Sequence, residues 1–259
     1  MKKKEIINHI VGWLKSYSDK SGTSGFVVGI SGGIDSALTS TLCAKTGKPV
    51  IVLNMPIRQH AHEFDRGLEH IAWLKKNYIN VSAEVIELTG IFEKMEKDFP
   101  KPIQDFLTMA NTRARLRMTT LYAFASHHKM LVAGTGNKIE DFGVGFFTKY
   151  GDGGVDISPI ADLMKSHVYA LAKELGVVES ILNAKPTDGL FHDGRSDEDQ
   201  LGATYDELEW AMRALEKKQK ENTFTARQKK VMKIYKERHA ANKHKTEAIP
   251  VCVIPKNLF

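Results

Sequence analysis

At 259 residues, 42% of them hydrophobic and 26% charged, the chain has the composition of a globular protein large enough for a sizeable core, and no apolar run approaches bilayer-spanning length. Its two cysteines, Cys43 and Cys252, lie far apart and form no Cys-x-x-Cys pair, so neither a disulfide framework nor a thiolate metal site is indicated. The formal charge of +6 rests largely on lysines at 217–220 and 229–236 without interleaved aromatics, so a solvated helix face is expected there rather than a nucleic-acid surface.

The basic start Met1-Lys2-Lys3-Lys4 is followed by Glu5, Asn8, His9 and Lys15, which interrupt the apolar stretch a signal peptide needs; a cytoplasmic protein is expected. Ile6, Ile7, Ile10, Val11 and Leu14 predict an amphipathic helix over 3–17, packed on the sheet or on a partner chain. Phe26 to Ile30 reads as a buried strand, Ser31-Gly32-Gly33 as a tight turn, and Ala37, Leu38 and Leu42 mark a helix beginning at Ile34, with Cys43 in its core face. Residues 48–55 form a second strand, nearly all apolar and so buried on both faces. A helix over 62–78, a strand over 83–88, a long helix over 103–127 and a strand over 130–134 follow. The long helix carries a stripe of Phe106, Leu107, Ala110, Ala114, Met118, Leu121 and Ala125. This alternation predicts a single α/β domain over 1–259, a doubly wound, Rossmann-like parallel sheet with helices on both faces and ligands at the carboxyl ends of its strands.

Residues 134–160 hold seven glycines with little periodicity, the composition of a binding loop. Helical patterns resume over 163–175, 177–183, 205–220 and 225–239. Between them, the polar, acidic stretch 187–201 suits a mobile lid and a plain surface loop equally.

Chemistry concentrates first in GISGGIDSA, residues 29–37. Two adjacent glycines let a ligand approach the backbone, and Ser31, Asp35 and Ser36 surround unpaired amides at a helix start, so the turn is built to receive an anion. It lacks the Gly-Lys-Ser/Thr ending of a Walker A loop and the spacing of the dinucleotide fingerprint. Ser-Gly-Gly-x-Asp-Ser is instead the signature of the PP-loop ATP pyrophosphatases, whose fold is that of the adenine nucleotide alpha hydrolases.

Further along, the chain resembles one PP-loop family over nearly its whole length, the ammonia-dependent NAD synthetases. The match adds Asn111-Thr112-Arg113-Ala114-Arg115, GTGNKIE at 134–140, FFTKYGDGGVDISPI at 146–160, Lys165, Lys185-Pro186-Thr187, SDEDQLG and His244-Lys245. It departs in two places: DFGVG between Glu140 and Phe146 is one residue longer than the AxTG-like spacing of several bacterial members, and GTGNK replaces their GTDHA-like string.

What the resemblance implies is adenylylation of the nicotinate carboxylate of deamido-NAD by ATP, then displacement of AMP by ammonia to give NAD. It places the ATP phosphates on Gly29, Ile30, Ser31, Gly32, Gly33, Ile34, Asp35 and Ser36, with Thr135, Lys165 and Thr187 as further ATP contacts, and Mg²⁺ on Asp35 and Glu140. Arg115, Lys149, Asp156, His244 and Lys245 match deamido-NAD contacts. Asp35, Lys165 and Asp152 become the catalytic residues, Asp152 orienting ammonia or accepting its proton; an aspartate stabilising its own turn is the competing reading. The resemblance also implies a homodimer, no glutaminase domain, and no nucleic-acid or membrane partner.

Overall fold

The computed structural model describes residues 1–59, 61–185 and 197–259. Four parallel strands form one sheet in the order β3-β2-β1-β4: β1 Phe26–Gly29, β2 Val50–Asn54, β3 Val81–Val85 and β4 Leu131–Val132. The chain winds outward from β1 to β3 and then returns to place β4 on the other side of β1, creating a switch point between β1 and β4 where doubly wound sheets bind ligands.

Period-two alternation sorts the strand side chains into two cores. Phe26, Val28, Val50 and Val52 pack with α1 (Lys3–Ser21), α2 (Ile34–Lys45), α3 (Ala61–Asn77), α6 (Lys165–Glu174) and α7 (Glu179–Leu182). Val27, Ile51, Leu53 and Val132 face the other way, against α4 (Thr89–Asp98) and α5 (Phe106–His128). Ile7, Ile10 and Leu14 of α1 are buried against α2 and α6, so this stripe belongs to the core of its own chain, as does Cys43. A third cluster joins α9 (Tyr205–Glu216) and α10 (Ala226–Thr246) to a wide π-helical turn at Lys138–Val144. The short α8 spans Asp197–Leu201.

Three sequence expectations shift. The third strand lies at Val81–Val85 rather than 83–88, because its pairing runs from Val50–Val81 to Asn54–Val85, where its partner β2 ends. Helix α4, unforeseen, buries only Phe92 and leaves Ile91 exposed, so its sequence carries no clear apolar stripe. On α5 the buried residues are Met109, Ala110, Arg113 and Ala125, whereas Phe106 and Leu107 remain 46% and 66% exposed.

Candidate active site

The serine-glycine turn leaves the carboxyl end of β1 and enters α2. Gly32 has φ +83°, and a Cβ there would lie 2.3 Å from the Glu63 carbonyl of α3, so no other residue fits. Ser36 Oγ accepts the Ser31 amide at 3.3 Å and donates to the Gly33 carbonyl at 2.9 Å, while Ser31 Oγ accepts the Gly33 amide at 3.1 Å. The two hydroxyls thus shape the turn from inside.

Asp35 opens α2, and its carboxylate meets groups brought from much later in the chain. Lys165, the first residue of α6 and only 4% exposed, donates from Nζ to Asp35 Oδ2 at 2.6 Å and to Glu140 Oε1 at 2.8 Å. A cation at a helix N-terminus opposes the helix dipole, and the two acids offset both that and its burial. Asn137 Nδ2 donates to Asp35 Oδ1 at 2.9 Å, while its Oδ1 caps the π turn by accepting the Ile139 and Glu140 amides. The Tyr205 hydroxyl donates to Glu140, and the Lys165 ammonium lies 4.9 Å from the Tyr205 ring centroid. Burial, and to a lesser degree the Glu140 charge, hold the Asp35 carboxyl above its ordinary range against the pull of Lys165. Burial works the same way on Glu140, but Lys165 and its hydrogen bonds outweigh it and leave that carboxyl low. Desolvation would lower the Lys165 ammonium, yet its two carboxylates raise it, so it stays charged.

The two departures from the family spacing touch each other. The residues after Glu140 form the π turn, a form found frequently at functional sites, and Glu140 lies on Lys165. The turn also brings in Asp141, whose carboxylate occupies the space a side chain at position 136 would fill: a Cβ on Gly136 would sit 1.8 Å from Asp141 Oδ2. Burial, then the charges of Asp152, Glu140 and Asp35, raise the Asp141 carboxyl well above its usual range, Lys245 opposing.

On the far side of the 134–160 segment the expected dinucleotide contacts assemble around Phe147. Lys149 Nζ donates to the His244 carbonyl at 2.7 Å, Arg115 Nη2 to the Lys149 carbonyl at 3.3 Å, and Lys245 Nζ to the Gly145 and Phe147 carbonyls at 2.9 and 2.8 Å. Asp156 is held instead at β4, where its carboxylate accepts the Val132 amide at 2.8 Å and the Tyr122 hydroxyl at 2.9 Å. Asp152 Oδ1 accepts the Thr148 amide at 2.9 Å and so stabilises its own turn; desolvation of the carboxyl raises it, the Thr148 hydrogen bonds opposing. Thr135 lies half-buried beyond β4, next to Gly134, whose amide is bound to the Ile157 carbonyl. Thr187 and most of the 187–201 stretch lie outside the described residues.

Asn137, Asp141 and Tyr205 are the site residues the sequence did not single out. Only Asn137 carried a local signal, an Asn two and three residues before the amides it caps.

The sequence profile of the family described as NAD synthase matches residues 6–249. This chain belongs to the NAD synthase family. It is 38% identical over 228 residues to the NH3-dependent NAD⁺ synthetase of Alkaliphilus metalliredigens, a match covering 85% of this chain and 91% of that one. Among solved structures, an NMN synthetase from Francisella tularensis superposes with a TM-score of 0.83 at 32% identity, over 99% of each chain. The NH3-dependent NAD synthetase of Campylobacter jejuni, in complex with nitrate, gives a TM-score of 0.80 at 28% identity over 98% of this chain and all of that one. The NAD synthase fold therefore extends over the chain, and ATP is the family's co-substrate. Among the described residues no helix is long and apolar enough to cross a membrane.

Proposed function

We propose that this chain makes NAD from deamido-NAD, ATP and free ammonia. The observation that carries the reading is the convergence of Lys165, Asp35 and Glu140 beside the glycine turn at the β1–β4 switch point, within a chain of this family. A nicotinate carboxylate repels nucleophiles and has no leaving group. In the first step its oxygen attacks the α-phosphorus of ATP, forming the acyl-adenylate and releasing pyrophosphate. Ammonia then adds its lone pair to the acyl carbon, loses one proton, and AMP departs.

The chain's own work is positioning and electrostatics. The turn's backbone amides and the Lys165 ammonium hold the triphosphate, and Asn137 and Tyr205 fix the two acids in place. Asp35 and Glu140 suit Mg²⁺, a hard cation that takes one or two carboxylates and fills its remaining positions with water and phosphate oxygens. Bound there, Mg²⁺ supplies neutralisation of the phosphate charge. Arg115, Lys149, Asp156, His244 and Lys245 receive the acid dinucleotide, Thr135 and Thr187 contact ATP, and Asp152 serves the nicotinate end. The chain acts as one catalytic domain in the cytoplasm, and the exposed Phe106 and Leu107 of α5 suit a homodimer, checked by size exclusion with light scattering.

The test is purified protein with ATP, Mg²⁺, ammonium and deamido-NAD at mildly alkaline pH, following NAD, AMP and pyrophosphate in equal amounts. Absence of NAD with every substrate present refutes the reading. A second acceptor is favoured by the likeness to the Francisella NMN synthetase over 99% of both chains: nicotinate mononucleotide, tested in the same assay. Turnover of the mononucleotide alone would move the assignment to NMN formation.

A further inference from the structure

Arg117 on α5 is a cation that the mechanism above leaves unused. Its Nε donates to the Met55 carbonyl at 2.9 Å, just beyond β2, and its Nη2 to Gln59 Oε1 at 3.1 Å. Gln59 in turn donates to Glu63 Oε2 at 3.0 Å, and the Glu63 carbonyl is the atom that crowds Gly32 in the glycine turn. Met55 Cε and Leu121, one helical turn beyond Arg117, close over Gly29. The guanidinium is therefore tied by two steps to the ATP turn on one side, and on the other it feels the charge of Asp152.

Among the described residues the hydrogen bonds of this guanidinium, to Met55 and Gln59, are both to neutral oxygen. Among the described residues no carboxylate lies within ion-pair distance of Arg117, whereas Lys165 has two. Burial, then the neighbouring Arg113 charge, lowers its pKa to about 10, with Glu63 and Asp152 opposing from a distance. Two of its five N–H donors are spent on Met55 and Gln59, which fix the plane of the fork and leave donors over. A half-buried guanidinium with no carboxylate at ion-pair distance among the described residues is stabilised by an arriving oxyanion, and its planar fork matches carboxylate and phosphate geometry.

We propose that Arg117 is an oxyanion-holding residue for this reaction, placed between the glycine turn and the Asp152 loop to receive the negative charge that converges there when ATP meets the acid nucleotide. The inference rests on the proposed function, in which two anions, an α-phosphate and a pyridine carboxylate, must come within bonding distance. A fixed guanidinium between them offsets their mutual repulsion. Both sources present the same chemistry to Arg117, and the variants separate them.

The experiment compares wild type, Arg117→Gln and Arg117→Lys, each checked for folding by thermal melt. Wild-type turnover, measured first, tests the underlying reading separately. Equilibrium affinity for ATP and for deamido-NAD is then measured by calorimetry, and KM and kcat for each substrate by pyrophosphate release. Arg117→Gln is expected to weaken one of the two substrates by roughly 10- to 100-fold, the range for losing hydrogen bonds to a charged group, while the other stays within about threefold. Arg117→Lys, which keeps the charge and the stem but not the fork, is expected to recover only part of that loss. Weakening of ATP alone assigns the α-phosphate, and weakening of deamido-NAD alone assigns the carboxylate. Unchanged affinity for both in a folded Arg117→Gln protein overturns the proposal. So does an equal loss for both that follows a lowered melting temperature. If Arg117→Gln does not fold, the same criteria apply to Arg117→Lys.

Discussion

The two halves of the site treat positive charge in opposite ways. Around Lys165 the ammonium is almost fully buried and met by two carboxylates, which in turn accept from the Asn137 amide and the Tyr205 phenol. Around Phe147 the cations Arg115, Lys149 and Lys245 are half-buried or exposed, and among the described residues they donate to backbone carbonyls. A carbonyl orients a cation without neutralising it, so the second region keeps its charge for an incoming anion. The first holds acids ready for a second cation. Two substrates with different needs, a metal-bound triphosphate and a bare acid dinucleotide, account for the contrast.

Breaking the compensated region has the largest effect. Lys165→Met leaves Asp35 and Glu140 buried against each other without their shared counter-charge, and is expected to lower stability by about 3–5 kcal/mol in urea titrations. Added Mg²⁺ is expected to restore part of that loss in the variant and to change wild type less. An unaltered variant stability would mean the two acids do not depend on Lys165.

Next in size is a group outside both regions, which sharpens the comparison by showing an uncompensated group that must stay neutral. His70 is fully buried between α2 and α3, with Nε2 3.0 Å from Ser40 Oγ and no partner for Nδ1 among the described residues. Burial lowers its pKa from 6.5 to about 4, the Ala37 carbonyl opposing. The unfolded chain therefore takes up a proton that the folded one refuses, and stability falls as pH drops from about 6.5 toward 4. The expected loss is about 3 kcal/mol, read from denaturation midpoints across that window. His70→Phe is expected to flatten this slope.

The smallest effect lies in the open region. Lys149→Ala is expected to raise KM for deamido-NAD roughly 5- to 10-fold, with kcat and the ATP KM near wild type and stability within about 0.5 kcal/mol. An equal rise in the ATP KM would place Lys149 on the wrong substrate.

Much of this was legible in the chain itself, for identifiable reasons. GISGGIDSA encodes strand, turn and helix within nine residues, so the ATP turn needed no tertiary information. Buried β-branched runs marked β1 and β2, and their two-sided burial pointed to a parallel sheet. What escaped depends on distance along the chain: Tyr205 reaches Glu140 across 65 residues, and nothing near Tyr205 marks it as more than the start of a capped helix. The extra residue after Glu140 read as an interruption of the family pattern, because a π turn has no sequence period of its own to recognise. Asp156 was matched to a deamido-NAD contact by resemblance alone, and its bonds to Val132 and Tyr122, residues distant in sequence, were not legible in the chain.

The central claim is that the glycine turn and the acids around Lys165 hold ATP together with a divalent cation. Calorimetric titration of ATP into wild type and Asp35→Ala, with and without Mg²⁺, tests it most directly. The account predicts that Mg²⁺ tightens ATP binding to wild type and that Asp35→Ala loses most of that gain. Equal Mg²⁺ dependence in the two proteins would contradict it.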